Sequence, residues 1–294
     1  MAATTPPSAA VAVPARRARP AAAPDRRARN LSALATLAGR RLALTARTPR
    51  QIVVPLLTPV LFALVIAPAL KQALGGLHSS IDYTAFVAVG TVGLLVPLTS
   101  IFAGLSVIVD RDSGAQRELL AAPVPRALLV LGNLVVALGL AALQVVVLIA
   151  VALAGGADFH ASATGIVWFA AAAILFAVGM YAIAETLAGR VPKQEEYIAA
   201  TPAIAILPWF FAGALFPIGA LPAALTAFAK VLPLTHALAL MRYGLVDPKG
   251  TGLHDIWGMG STTAEAFLSL AVVAVFAAVF TAVGIRVFTR AALS

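Results

Sequence analysis

Residues 110–126 read DRDSGAQRELLAAPVPR, a charge-dense segment between two long apolar runs. Ser113 followed three residues later by Gln116 is the pattern of a capping box, which predicts that a helix begins here. Pro123 and Pro125 predict its end, because proline cannot continue an α-helix. We therefore expect a helix of about two turns, held between two membrane spans and outside the hydrocarbon.

The same segment carries side chains that suit a contact with a partner protein. Leu119 and Leu120 are consecutive, so on a helix their side chains point about 100° apart, one toward a partner and the other toward the membrane domain. Arg117 and Glu118 can pair across such a contact. A solvated loop that only joins two spans is the alternative; the capped start, the proline stop and the leucine pair favour a docking element.

The composition is that of a membrane protein. Of 294 residues, 61% are hydrophobic and 11% are charged, and the mean hydropathy is +0.96; a soluble domain is about half apolar and about a quarter charged. The sequence has no cysteine, which excludes a disulfide framework and a thiolate metal site. The net charge of +9 comes with no aromatic and basic face for stacking bases, so we expect no nucleic-acid partner.

Six apolar segments are each long enough, at about 20 residues or more, to cross a bilayer. The sequence therefore predicts an all-α polytopic membrane protein with six transmembrane helices. The predicted spans are 51–70, 83–109, 127–154, 163–187, 197–218 and 264–288.

The chain before the first span divides into two parts. Residues 1–30 are rich in Ala, Pro and Arg and predict a disordered basic tail, either a solubilising tail or a contact with anionic lipid or a partner. Residues 31–47 predict an amphipathic helix that lies in the membrane interface, or simply anchors the chain beside the membrane. Its apolar face is marked by Leu31, Leu34 and Leu42, and its basic rim by Arg40 and Arg47.

The distribution of lysine and arginine predicts the orientation. Ten arginines precede position 51 and three lie within 110–126. Three more arginines and Lys193 lie near residue 190 and at the C-terminus, so 17 basic residues fall on one side. The other side has four: Lys71, Lys230, Arg242 and Lys249. Both termini and the 110–126 segment are therefore expected in the cytoplasm.

The segment 217–263 differs from a simple loop because it is largely apolar. It contains two short helical patterns, near 221–230 and 234–244, separated by Pro233. Each is too short to cross a bilayer, and Lys230 and Arg242 make crossing costly. We expect re-entrant helices between spans five and six, with both basic side chains at or near the outer water interface.

These patterns resemble the membrane subunits of ABC-2 type exporters, the daunorubicin-resistance-type permeases in particular. In that family the segment between the second and third spans is the coupling helix that rests on the ATPase, and a helix before the first span also contacts the ATPase. The matching positions of the coupling segment are Arg111, Gly114, Glu118, Leu119, Leu120, Pro123 and Arg126. The re-entrant signature matches at Pro233, Thr235, His236, Met241 and Arg242.

The resemblance implies an ABC-2 type transmembrane domain over residues 31–294 and a multi-pass protein of a bacterial plasma membrane. It implies two cytoplasmic ATPase subunits, which bind ATP and Mg²⁺, and a second permease, with a homodimer favoured over a heterodimer. The cargo would be a hydrophobic drug, a natural product or a lipid-linked molecule, with multidrug export and antibiotic resistance as the expected roles. Membrane lipid surrounds the complex.

Motifs for chemistry within the chain are missing. The sequence has no Gly-x-x-x-x-Gly-Lys-Ser/Thr, Gly-x-Ser-x-Gly or His-Glu-x-x-His, so we predict no cofactor, no metal and no catalytic residue in this subunit. A membrane-embedded enzyme acting on lipid through His236, His254, Asp255 and Glu265 is one alternative.

A proton-coupled secondary transporter is the other alternative, and it would use Glu185. An acid within a span is costly unless it is paired or near water. Glu185 is therefore either a cation or proton site, or an interfacial residue that pairs with Arg190 or with a neighbouring subunit. We favour the second interpretation.

Overall fold

A computed structural model describes residues 26–74, 82–121 and 125–291, which form helices joined by turns, with no β-strand among them. The helices are α1 (Arg26–Ala46), α2 (Arg50–Leu61), α3 (Ala67–Leu74), α4 (Tyr83–Asp112), α5 (Ala115–Ala121), α6 (Arg126–Ala154), α7 (Ala163–Ala188), α8 (Gln194–Ala199), α9 (Leu207–Phe211), α10 (Ala223–Val231), α11 (Pro233–Leu245), α12 (Thr251–Trp257) and α13 (Thr262–Ala291). Two π-helical turns, Phe62–Ile66 and Pro202–Ile206, and a 3₁₀ turn, Ile218–Ala220, connect them.

Among the described residues, four helices are long and apolar enough to cross a membrane: α4, α6, α7 and α13. They match the predicted spans 83–109, 127–154, 163–187 and 264–288. The pair α10 and α11, bent by 84°, would be a fifth if it were counted as one broken span. The predicted all-α membrane fold is confirmed, and the count of six spans stays a prediction.

The other two predicted spans consist of shorter helical pieces. Residues 50–74 run as α2, a π turn and α3, and residues 194–211 run as α8, a π turn and α9. Pro202 opens the second π turn and Pro208 follows it; since neither supplies an N–H, the regular hydrogen-bond ladder is interrupted on both sides. The predicted span 197–218 therefore ends early, at Phe211.

The helix α4 lies at the centre of the described fold. It packs against α6, α7 and α11, and its side chains are buried on nearly all sides through its first two thirds. A helix that is apolar all round is expected to be buried in this way. A Cβ atom added at Gly90 would lie 2.0 Å from the carbonyl oxygen of Ala214, so the close contact with the chain after α9 requires glycine.

The outward faces of the other long helices carry large apolar side chains. Val146 of α6, Val167 of α7 and Val275 of α13 are all exposed from the protein. Such exposure on helices of this length suits contact with lipid tails.

Candidate functional site

The helix predicted within 110–126 is present as α5. It follows Gly114, whose φ of +80° turns the chain between α4 and α5. The predicted capping box is wrong, because the Ser113 hydroxyl donates to the carbonyl of Asp110 (3.2 Å) and Ser113 closes α4 instead of opening α5. A polar residue just after a long helix can satisfy that helix's last carbonyls as readily as it can cap the next helix.

The side chains of α5 divide into exposed and partly buried ones. Arg117 and Glu118 are exposed, while Leu119 is partly buried. The side chains of Leu120 and Arg126, and the whole of Pro123, lie outside the described residues. The exposed charges beside a half-covered leucine are available to a partner that approaches this end of the molecule.

Arg111 lies in the last turn of α4, just before α5, and it fixes this point to the end of α7. Its guanidinium donates to the carbonyls of Ala188 (3.1 Å), Val191 (3.1 Å) and Pro192 (2.9 Å). The carbonyl at the end of α7 and two in the segment after it therefore hold the last turn of α4 in place. Arg111 was predicted to belong to the coupling segment. In the structure its side chain binds that segment to the helix bundle.

Asp110 anchors the same point to α1. Its carboxylate lies 3.0 Å from a guanidinium nitrogen of Arg41 and 3.9 Å from one of Arg40. Arg41 is buried, and sequence reasoning missed it because arginine was assigned to the rim of the helix. The available signal was its position seven residues after Leu34, on the row that packs against the protein.

The predicted apolar face of α1 is only partly directed to the protein. The helix begins at Arg26, five residues before the predicted start, and packs against α6. Leu34 is partly buried, but Leu31 and Leu42 are 67% and 60% exposed. These two leucines face outward, as does Arg47.

The two short helices predicted around Pro233 are present as α10 and α11, and the 84° bend excludes one continuous helix over 221–244. Lys230 is exposed, as expected. The Arg242 side chain is buried in the protein, and its guanidinium carbon lies 3.4 Å from the centre of the Phe86 ring. Its expected place near the outer water interface stays a prediction. The other signature residues, Thr235, His236 and Met241, are also buried, and Pro233 is partly buried.

The family model described as ABC-2 type transporter matches residues 32–246. The chain belongs to this family. An ABC-2 transporter membrane domain is the permease component of an ABC transporter, a generally non-catalytic subunit that pairs with an ATPase subunit. Comparison with curated proteins yields no match. The family assignment and the long apolar helices agree that this ABC-2 permease is a membrane protein.

The intramembrane acid of the permease, Glu185, is buried in α7. The Tyr181 hydroxyl, one turn earlier, donates to its Oε1 atom, and Oε2 has no hydrogen-bond partner in the structure. Glu185 therefore does not pair with Arg190, and the other predicted partner, a neighbouring subunit, stays a prediction. A cavity of about 20 Å³ beside Glu185, also lined by Thr281, has room for one water molecule.

His236 and His254 each contact a side chain of α13. His236 contacts the Ser269 hydroxyl (3.2 Å) and the Lys230 carbonyl (2.9 Å). His254 lies 3.2 Å from Glu265, which also accepts the N–H of Met259 (2.6 Å). Across the described residues no three His, Cys, Asp or Glu side chains come together as metal ligands.

Proposed function

We propose that this permease is the membrane-spanning subunit of an ATP-driven exporter for a hydrophobic drug, natural product or lipid-linked cargo. The observation that carries the proposal is α5, a short helix with exposed charges that follows the central helix α4 directly. A partner that moves α5 moves the end of α4 with it. Family membership supports the same arrangement, because permeases of this family pair with an ATPase subunit.

The contacts at the base of α5 explain how a push would spread through the bundle. Arg111 joins the end of α4 to the chain after α7, and Asp110 joins it to Arg41 of α1. A movement of α5 is thereby delivered to three helices together, as a rigid-body shift requires. In the proposed cycle, two ATPase subunits binding ATP and Mg²⁺ close, displace α5 in each of two identical permeases, and open the path between them to the outside.

The basic residues support an orientation with both termini and α5 in the cytoplasm of a bacterial cell. Of the 21 lysines and arginines, 17 fall on the side of α5 in this arrangement. An ATPase in the cytoplasm then meets α5 directly.

The test is reconstitution of the permease with its ATPase, with ethidium as the hydrophobic probe. Inverted vesicles should accumulate ethidium with ATP and Mg²⁺ and should not do so with a non-hydrolysable analogue. Accumulation driven by a proton gradient without ATP, and abolished by Glu185→Gln, would instead identify a secondary transporter. Glu185, buried with an unpartnered oxygen, is the residue on which that second mechanism would depend.

A further inference from the structure

A cavity of about 290 Å³ lies at the end of the molecule opposite α5. The first turn of α4, the chain after α9, and the helices α11 and α12 form its walls. Phe86 and Ile218 give it apolar surface, and Thr235, Arg242, Asp247 and Asp255 give it polar groups. Its volume is at the lower end of the range of about 300–1,000 Å³ for ligand pockets, so it suits a small ligand or a headgroup.

Arg242 brings a positive charge to this cavity without a matching acid. The guanidinium donates to the carbonyls of Gly213 (2.8 Å) and Ala214 (2.7 Å) and, more weakly at 3.4 Å, to that of Phe86. The part of the chain that the structure describes places no carboxylate within ion-pair distance of it. A buried charge without a counter-ion is costly, and an anionic ligand group would lower that cost.

Thr235, in the same wall of the cavity, has a hydroxyl group that is free to bind a ligand. Its side chain is only 3% exposed, and its hydroxyl has no hydrogen-bond partner in the structure. Buried hydroxyls are nearly always hydrogen-bonded, so an unpartnered one that lines a cavity indicates a ligand or water in that cavity. It stands on α11 with Arg242, seven residues away and therefore on the same face of the helix.

The acids of the cavity differ in availability. Asp247 is buried and accepts the N–H groups of Lys249 (3.2 Å) and Thr251 (2.6 Å) as well as the Thr251 hydroxyl, so its oxygens are occupied by the start of α12. Asp255 is exposed at the rim, and within the described residues its carboxylate makes no hydrogen bond or ion pair. The cavity therefore presents a cation and a free hydroxyl inside, and a free carboxylate at its rim.

From this arrangement we infer that the cavity binds a zwitterion with an anionic group beside an ammonium group, of the phosphoethanolamine type. The phosphate is held by Arg242 and Thr235, and the ammonium by Asp255. Phe86 and Ile218 cover the carbon atoms between and beyond the charges. The ligand source is either the headgroup of phosphatidylethanolamine or a free zwitterion of the same chemistry. Binding in this cavity depends on neither the transport direction nor the identity of the cargo.

The experiment measures binding to the full-length permease in detergent by native mass spectrometry. The probes are dioleoylphosphatidylethanolamine, dioleoylphosphatidylglycerol, which lacks the ammonium, and glycerophosphoethanolamine, which lacks the acyl chains. Two variants change the site without changing side-chain size: Thr235→Val and Asp255→Asn. Thr164→Val and Asp158→Asn make the same chemical changes at exposed positions outside the cavity.

We expect phosphatidylethanolamine to bind about tenfold more tightly than phosphatidylglycerol, because only it can use Asp255. Thr235→Val and Asp255→Asn should each weaken its binding about tenfold, with the two controls unchanged. Thr235→Val removes only an unpartnered hydroxyl, so the fold should persist. Glycerophosphoethanolamine binding with the same sensitivity to both variants would support the site and assign a free zwitterion as the ligand. Equal binding of the two lipids, or site variants that behave like the controls, would overturn the inference.

Discussion

Asp82 joins three segments through one carboxylate. It accepts a hydrogen bond from Lys71 of α3 (3.0 Å), from the N–H of Thr84 at the start of α4 (3.1 Å) and from the N–H of Asp158 after α6 (2.7 Å). Burial by itself raises the pKa of Asp82, but the hydrogen bonds from Asp158, Lys71 and Thr84 outweigh it and hold the pKa below its ordinary value of 3.8.

A carboxyl group whose pKa is lowered by folding stabilises the folded protein above its unfolded pKa. This stabilisation from Asp82 should therefore be complete above the ordinary value of 3.8 and be lost as the pH falls below it. Asp82→Asn can still cap α4 but cannot be protonated. It should therefore remove the part of the acid-induced drop in melting temperature that comes from protonation of Asp82. Melting curves of the detergent-solubilised protein between neutral pH and about pH 3 test this, with Asp158→Asn as the exposed control. An unchanged pH profile in Asp82→Asn would contradict it.

Arg41 and Arg40 are neighbours that should differ in their effect on stability. Arg41 is buried and lies 3.0 Å from Asp110, whereas Arg40 is partly exposed and lies 3.9 Å from it. Arg41→Gln should lower the free energy of unfolding by about 2 kcal/mol, because a buried charge-assisted hydrogen bond is lost. Arg40→Gln should cost about 0.5 kcal/mol or less, as surface pairs do. Equal melting temperatures for the two variants would show that Arg41 has no special role.

At the scale of elements, the proposed coupling to the ATPase can be tested most directly by changing α5. Leu119→Ala with Leu120→Ala should remove apolar contact with the ATPase at a cost of about 2 kcal/mol or more, which corresponds to over tenfold weaker docking. Transport and cargo-stimulated ATP hydrolysis should fall together while the protein remains inserted. Glu118→Ala should be milder, because a charge at the rim of an interface contributes little.

The measurement is a pull-down of the ATPase beside its activity in the reconstituted complex. Glu118 is exposed and Leu119 is partly buried, so the single and double variants separate a charge contact from an apolar one. If the double variant docks and couples like the natural protein, α5 has no part in the mechanism. The contacts of Arg111 and Asp110 would then serve only the packing of α4.

At the scale of the whole molecule, the orientation can be tested because the chain has no cysteine. His160→Cys lies in the exposed turn before α7, and Gln116→Cys lies on α5, at the other end of α6. With α5 in the cytoplasm, an impermeant thiol reagent added to whole cells should label position 160 and leave position 116 unlabelled. Permeabilised cells should label both. The reverse pattern in whole cells would invert the proposed topology.

Local pattern in the sequence was enough to predict the four long apolar helices. Long apolar runs predicted α4, α6, α7 and α13. In lipid the backbone N–H and C=O groups must be hydrogen-bonded within the helix, and the length of the apolar run decides whether the helix can cross the bilayer. Pro233 predicted the break between α10 and α11 for an equally local reason, the missing N–H. The motif in 110–126 predicted both α5 and the family.

Tertiary structure alone decided which polar side chains meet. The Arg242 guanidinium reaches the Phe86 carbonyl across 156 positions of sequence, and Arg41 reaches Asp110 across 69. The periodicity of apolar residues predicts whether a side chain faces the protein. It does not predict which residue that side chain will contact. Arg41 and Arg242 are buried, and the Tyr181 hydroxyl donates to Glu185. The physical reason is that a buried charge is tolerated only where distant backbone or side chains satisfy it, and folding brings those groups together.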